Sequence, residues 1–124
     1  MSKFLILAFH AINLIMIIFY LYPGSILGYF LYNDISLQPQ ITRNFLISSN
    51  HFYIFIILST FGIWAYKNTK KIKFLISYLF LLSIILELFH LIIPNREFEL
   101  SDLFGNIAGI IFIIIIYTLK DKYV

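Results

Sequence analysis

The sequence predicts an all-α integral membrane protein, a four-helix up-and-down bundle with a short interfacial or re-entrant segment after the first helix. Hydrophobic residues make up 61% of the 124 residues and charged residues only 12%, where soluble domains average about 25% charged. A soluble domain of this size buries only about two-thirds of its surface and could not hide so much apolar area. Part of the surface must therefore face lipid, and we treat residues 1–124 as a single domain.

Four apolar segments have the length of about 20 residues that a transmembrane helix needs. They run from about 4 to 22, from about 45 (or 51) to 66, from 74 to 93 and from 103 to 119. The first exceeds the apolar core of a signal peptide and no small-residue cleavage site follows it, so we interpret it as a retained helix. Residues 25–32 are apolar but too short to span, which favours an interfacial or re-entrant position before the polar loop 33–44.

The positive charges predict the orientation of this bundle. Only Arg43 and Arg96 fall on one side of it. All the lysines fall on the other: Lys3, Lys67, Lys70, Lys71, Lys73, Lys120 and Lys122. Because lysine and arginine concentrate in cytoplasmic loops, we expect both termini in the cytoplasm of an inner membrane. The net charge of +3 thus reflects lysines in cytoplasmic loops of a membrane protein, and we expect no nucleic-acid partner. The absence of cysteine excludes disulfides and thiolate chemistry.

The remaining polar residues gather near the outer ends of the helices. A charged side chain within a bilayer costs about 2.5–3.5 kcal/mol on insertion scales, so its presence needs a reason. Glu87 and His90 project from the same face of the third helix. Asp102 opens the fourth helix, where a carboxylate suits the helix dipole, and a short turn makes the two helices neighbours. We therefore predict one outer polar cluster, composed of His51, Glu87, His90, Arg96, Asp102 and Asn106.

Two further patterns concern packing and depth. Gly105 and Gly109 form a GxxxG motif, which lets helices approach closely in lipid. Aromatic residues near helix ends are typical interfacial anchors. Here they are Tyr20, Tyr22, Trp64, Tyr66 and Tyr117.

The order of the polar residues follows a longer pattern. Its members are Glu87-x-x-His90, Pro94-x-Arg96, Asp102, Asn106 and Gly109, preceded by His51-Phe52-x-x-Phe55. Over residues 45–112 this resembles the VanZ-like family of small four-helix membrane proteins, whose pattern is Glu-x-x-Gln, Pro-x-Arg, an Asp, an Asn one turn on, and a Gly. His90 stands where the family usually has glutamine, so a titratable group replaces a neutral amide. The Asp-Lys pair that often precedes the family's histidine is absent.

The resemblance implies a bacterial inner-membrane protein of the cell envelope, since the named member of the family is associated with low-level resistance to the glycopeptide teicoplanin. It also implies that the polar cluster is a working site. Three hypotheses stay open. The cluster recognises a cell-envelope or lipid-linked headgroup, or it only stabilises the bundle of an accessory subunit, with Arg96 neutralising Glu87 or Asp102. In the third, the protein is a small intramembrane enzyme acting on a lipid headgroup.

A metal site is a minority hypothesis. His51, Glu87, His90 and Asp102 supply enough nitrogen and oxygen ligands for one ion. Di-metal carboxylate bundles, however, need two Glu-x-x-His elements, and this chain has one. We therefore expect no metal and no other cofactor. The expected partners are membrane lipids and a lipid-linked envelope precursor, and the oligomeric state stays open.

Overall fold

The computed structural model describes residues 2–123, which form five helices and no strand. The helices are α1 (Ser2–Leu21), α2 (Ile26–Tyr32), α3 (Ser49–Tyr66), α4 (Ile72–Phe89) and α5 (Leu100–Tyr123). The prediction of an all-α chain is confirmed. Three of these helices, α1, α4 and α5, are long and apolar enough to cross a membrane. The predicted second span, α3, is not among them, because it begins with the polar residues Ser49, Asn50 and His51.

Several helix boundaries differ from the predicted ones. The helix predicted to end at Ile93 ends at Phe89, because the N–H groups of residues 90–92 bond to carbonyls three residues back, which tightens the chain before Pro94. The last helix begins at Leu100 rather than Leu103 and continues to Tyr123 rather than Leu119. The second long helix begins at Ser49, so His51 lies in its first turn.

Consecutive long helices run in opposite directions. At one end of the molecule, Tyr20 near the end of α1 bonds to His51 in the first turn of α3 and to Asn106 early in α5. At the other end, His10 of α1 bonds to Tyr66, the last residue of α3. The second end also carries the lysines, in the first turn of α1, in the α3–α4 turn and first turn of α4, and in the last turn of α5. We call these the cluster end and the lysine end.

Close backbone contact joins α5 to α3. A Cβ atom added at Gly105 would lie 2.7 Å from the Ser48 carbonyl oxygen, and one added at Gly109 would lie 2.7 Å from the Phe52 carbonyl oxygen. The structure therefore places the GxxxG face against the first turns of α3. This approach brings the side chains that begin α3 and α5 within reach of each other at the cluster end.

The short helix α2 belongs to a compact hairpin at the cluster end. The Ser25 side chain caps it by accepting from the Gly28 N–H (2.8 Å), and the Ser25 N–H donates to the Ile35 carbonyl (2.8 Å). Gly28 faces the backbone of Leu37 so closely that no side chain fits there. The outer face of α2 is apolar and exposed, with Phe30 at 76%. An exposed apolar helix is typical of an interfacial segment, and that placement stays a prediction.

Candidate functional site

A buried carboxylate lies at the centre of the cluster end. Glu87, near the C-terminal end of α4, is 0% exposed. Its Oε1 atom accepts from the Glu99 N–H (3.2 Å) and lies 3.3 Å from Nδ1 of His90. Its Oε2 atom has no hydrogen-bond partner within residues 2–123. Such an atom is unusual, since buried polar groups are nearly always paired.

His90 uses both ring nitrogens inside the protein. Its Nε2 lies 3.0 Å from the Tyr20 carbonyl oxygen; a carbonyl only accepts, so Nε2 carries a proton. Its Nδ1 lies 3.3 Å from Oε1 of Glu87, where two lone pairs would repel, so a proton carried by one of the two groups lies between them. The ring is 3% exposed and stacks on the Tyr20 ring. Both ring nitrogens of His90 therefore contact polar atoms of the protein, and neither is free for a ligand.

Three polar atoms from three helices meet beside this pair. The amide nitrogen of Asn106 donates to the Ser83 carbonyl (3.2 Å), which leaves Oδ1 facing Tyr20 and His51. The Tyr20 hydroxyl donates to Oδ1 (2.8 Å), and Nδ1 of His51 lies 2.9 Å from both oxygens. Because Oδ1 can only accept, this network assigns a proton to Nδ1 of His51. In the neutral ring, Nε2 then holds the lone pair.

That lone pair faces a second carboxylate. Nε2 of His51 lies 3.6 Å from Oδ2 of Asp102, longer than the roughly 2.7–2.9 Å of a charge-assisted hydrogen bond. One ligand atom from each of His51, Glu87 and Asp102 lies within 4.8 Å of the others. The His51 and Asp102 side chains are 17% and 18% exposed. The cluster is thus closed around Glu87 and open beside His51 and Asp102.

Arg96 binds backbone carbonyls rather than the carboxylates that the sequence analysis gave it as partners. Its Nε donates to the Tyr22 carbonyl (3.0 Å), and its Nη2 donates to the carbonyls of Phe19 (2.8 Å) and Gly24 (2.6 Å). In the described part of the chain, it forms no ion pair with Glu87 or Asp102. The hypothesis that Arg96 neutralises one of them is wrong, because the Phe19 carbonyl at the end of α1 and the Tyr22 and Gly24 carbonyls just beyond it take its donors instead. Partial burial lowers the pKa of Arg96, yet a guanidinium stays charged at neutral pH.

Sequence reasoning missed Tyr20. We interpreted it as an interfacial anchor, but it is only 8% exposed, and its hydroxyl, ring and carbonyl contact Asn106, His51 and His90. Nothing in the sequence separates it from Tyr22, which is 41% exposed two residues later. The remaining predicted residues lie where the spacing put them, at one level of the cluster end.

No protein-family model matches this chain, and neither curated proteins nor solved structures give a match. Chemically, the cluster offers two carboxylates, two imidazoles and one amide, carried by α3, the C-terminal end of α4 and α5. Histidine changes its charge near neutral pH, and carboxylates and imidazoles both bind cations. The arrangement can therefore exchange protons, hold a cation or accept donors from a polar ligand at its open side.

Replacing Arg96 by alanine should destabilise the fold. Its three bonds each contribute about 1.5–3 kcal/mol when buried, and partial exposure reduces their sum to on the order of 2–4 kcal/mol. Arg43→Ala is the matched control, because Arg43 is exposed. The melting temperature in detergent should fall clearly for Arg96→Ala and stay unchanged for Arg43→Ala. Equal melting temperatures for the two variants would show that Arg96 does not hold the end of α1.

Proposed function

We propose that this chain is a VanZ-like integral membrane protein in which α1, α3, α4 and α5 cross the bacterial inner membrane as an up-and-down bundle. Three of the four helices are long and apolar enough to do so. The alternating directions of the helices, and the gathering of every lysine at one end, support the bundle and its orientation. Both termini then lie in the cytoplasm, and the cluster end faces outward.

The proposed function is recognition of a polar headgroup, from an envelope lipid or a lipid-linked precursor, at the cluster end. One observation carries it: the His51–Asp102 side of the cluster is partly exposed while Glu87 beneath it is fully buried. A ligand can thus reach the polar groups of His51 and Asp102, which the buried part of the cluster holds in place. Headgroup sites of this kind need few, well-positioned polar atoms.

The surroundings of the cluster fit a lipid ligand. The hairpin that contains α2 is tied to the cluster end, since Arg96 binds the Gly24 carbonyl just before it. Its exposed apolar residues, Phe30 and Leu31 among them, offer a surface for acyl or isoprenoid chains. Only Nη1 of Arg96 makes no hydrogen bond to another described residue, and a guanidinium N–H suits a phosphate oxygen.

A second candidate is an accessory subunit whose cluster only stabilises the bundle. The observation that favours it is how much of the cluster is paired internally. His90 and Asn106 have all their polar atoms in intramolecular contacts. Under this hypothesis, changes at His51 or Asp102 lower stability without altering any preference for lipid.

The orientation can be tested by cysteine labelling, because the chain has no cysteine of its own. Gln38→Cys probes the loop between α2 and α3, and Asn68→Cys probes the α3–α4 turn; both positions are exposed. A membrane-impermeant thiol reagent should label Gln38→Cys on intact spheroplasts and Asn68→Cys only after permeabilisation. The opposite pattern would reverse the orientation, and equal labelling of both would contradict a spanning bundle.

Headgroup recognition can be tested by native mass spectrometry in mixed phosphatidylglycerol and phosphatidylcholine. We expect the wild-type protein to retain phosphatidylglycerol preferentially. His51→Asn should weaken this preference about tenfold, which corresponds to about 1.4 kcal/mol, whereas His10→Asn at the lysine end should not. If neither lipid is preferred, or both variants behave alike, headgroup recognition fails. A His51→Asn variant that loses only thermal stability supports the accessory subunit.

A further inference from the structure

We propose that His51, Glu87 and Asp102 form a binding site for one divalent transition-metal ion of the class that accepts imidazole nitrogen and carboxylate oxygen, such as Zn²⁺ or Mn²⁺. This site goes beyond headgroup recognition and does not depend on it. The sequence alone weighed against a metal and included His90 in the minority ligand set. The structure removes His90 from that set, because both of its nitrogens are already bound.

The distances suit one ion. One ligand atom from each of the three residues lies within 4.8 Å of the others, and Nε2 of His51 is 3.6 Å from Oδ2 of Asp102. Two ligands on a tetrahedral ion at about 2.0–2.2 Å lie roughly 3.4 Å from each other. The His51–Asp102 separation is thus longer than a hydrogen bond and close to that of two ligands on one ion. A movement of the Glu87 side chain that brings its ligand oxygen to about 3.4 Å from the other two atoms would complete the set.

Hydrogen bonds to neighbouring groups orient the ligand atoms of His51 and Glu87. Nδ1 of His51 donates to Asn106, which aims the lone pair of Nε2 at the gap. Oε1 of Glu87 is held by the Glu99 N–H and by His90. Protein metal sites have this organisation: the second ring nitrogen of a histidine ligand is nearly always held by an outer partner, and ligating carboxylates are themselves hydrogen-bonded.

The unpaired oxygen of Glu87 favours a metal ion over an extra proton on His51 as the cation in the cluster. A proton on Nε2 of His51 would pair that ring with Asp102, but it would leave Oε2 of Glu87 buried without any partner. A metal ion accounts for all three atoms at once. Within residues 2–123, no lysine or arginine lies within ion-pair distance of either carboxylate, so any positive charge at this place comes from histidine or from an ion.

Three protein ligands leave a coordination position free, as in catalytic rather than structural zinc sites. Here that position is on the side of His51 and Asp102, which are partly exposed. The buried Glu87 closes the opposite side. An ion bound here is therefore reachable from outside the bundle and can take a water molecule or an anionic oxygen as its next ligand.

Calorimetric titration of chelator-treated protein with Zn²⁺, in neutral detergent without anionic lipid, tests the site. We expect about one equivalent to bind. Each of the ligand variants Glu87→Gln, His51→Asn and Asp102→Asn should weaken binding about 100-fold or more. The matched controls Glu97→Gln, His10→Asn and Asp121→Asn change exposed residues of the same types and should leave it unchanged. A folded wild-type protein that takes up no Zn²⁺, or a ligand variant that binds like its control, overturns the proposal.

A second measurement keeps the test decisive if a ligand variant does not fold. Nitrogen-15 NMR of the wild-type protein with labelled histidine reports each ring separately. Addition of Zn²⁺ should shift Nε2 of His51 and leave the ring of His10 unchanged. A response of His10 with none at His51 would place the bound ion elsewhere and overturn the proposal.

Discussion

The end of α1 is the constraint on which the cluster depends. Its last carbonyls have no partner within the helix, and unpaired carbonyls are costly in apolar surroundings. The α4–α5 turn supplies the donors: Nε2 of His90 binds the Tyr20 carbonyl, and Arg96 binds the Phe19 carbonyl together with those of Tyr22 and Gly24 just beyond α1. This contact holds α1 against α4, draws the Tyr20 side chain into the interior and ties the α2 hairpin to the cluster end.

The same contact determines the charge of the cluster. Because Arg96 binds backbone carbonyls, it forms no ion pair with Glu87 or Asp102 among the described residues. His90 becomes the contact partner of Glu87, and among residues 2–123 His51 is the basic side chain within ion-pair distance of Asp102. A buried carboxylate with one unpaired oxygen is energetically costly, and a cation or a polar ligand beside that oxygen would offset the cost.

Helical spacing was enough to predict which residues of α4 and α5 share the cluster end. Glu87 and His90 are three residues apart, Asp102 and Asn106 are four apart, and the short turn between these helices makes them neighbours. The role of Arg96 could not be predicted, because its partners are backbone carbonyls that no side-chain pattern reveals. Tyr20 was missed for a related reason, since its position relative to Tyr22 depends on how α1 rotates against α3. The VanZ-like spacing stays a resemblance and supports the proposed function only as such.

The most direct test of the cluster is an anomalous-scattering measurement at the zinc edge, on crystals of chelator-treated protein soaked in Zn²⁺. We expect one anomalous peak about 2.0–2.2 Å from Nε2 of His51, Oε2 of Glu87 and an oxygen of Asp102. The hydrogen bonds from Nδ1 of His51 to Asn106 and from the Glu99 N–H to Glu87 should remain in place. Absence of a peak at these atoms, with Oε2 of Glu87 paired to another group of the protein, would contradict a cation site in the cluster.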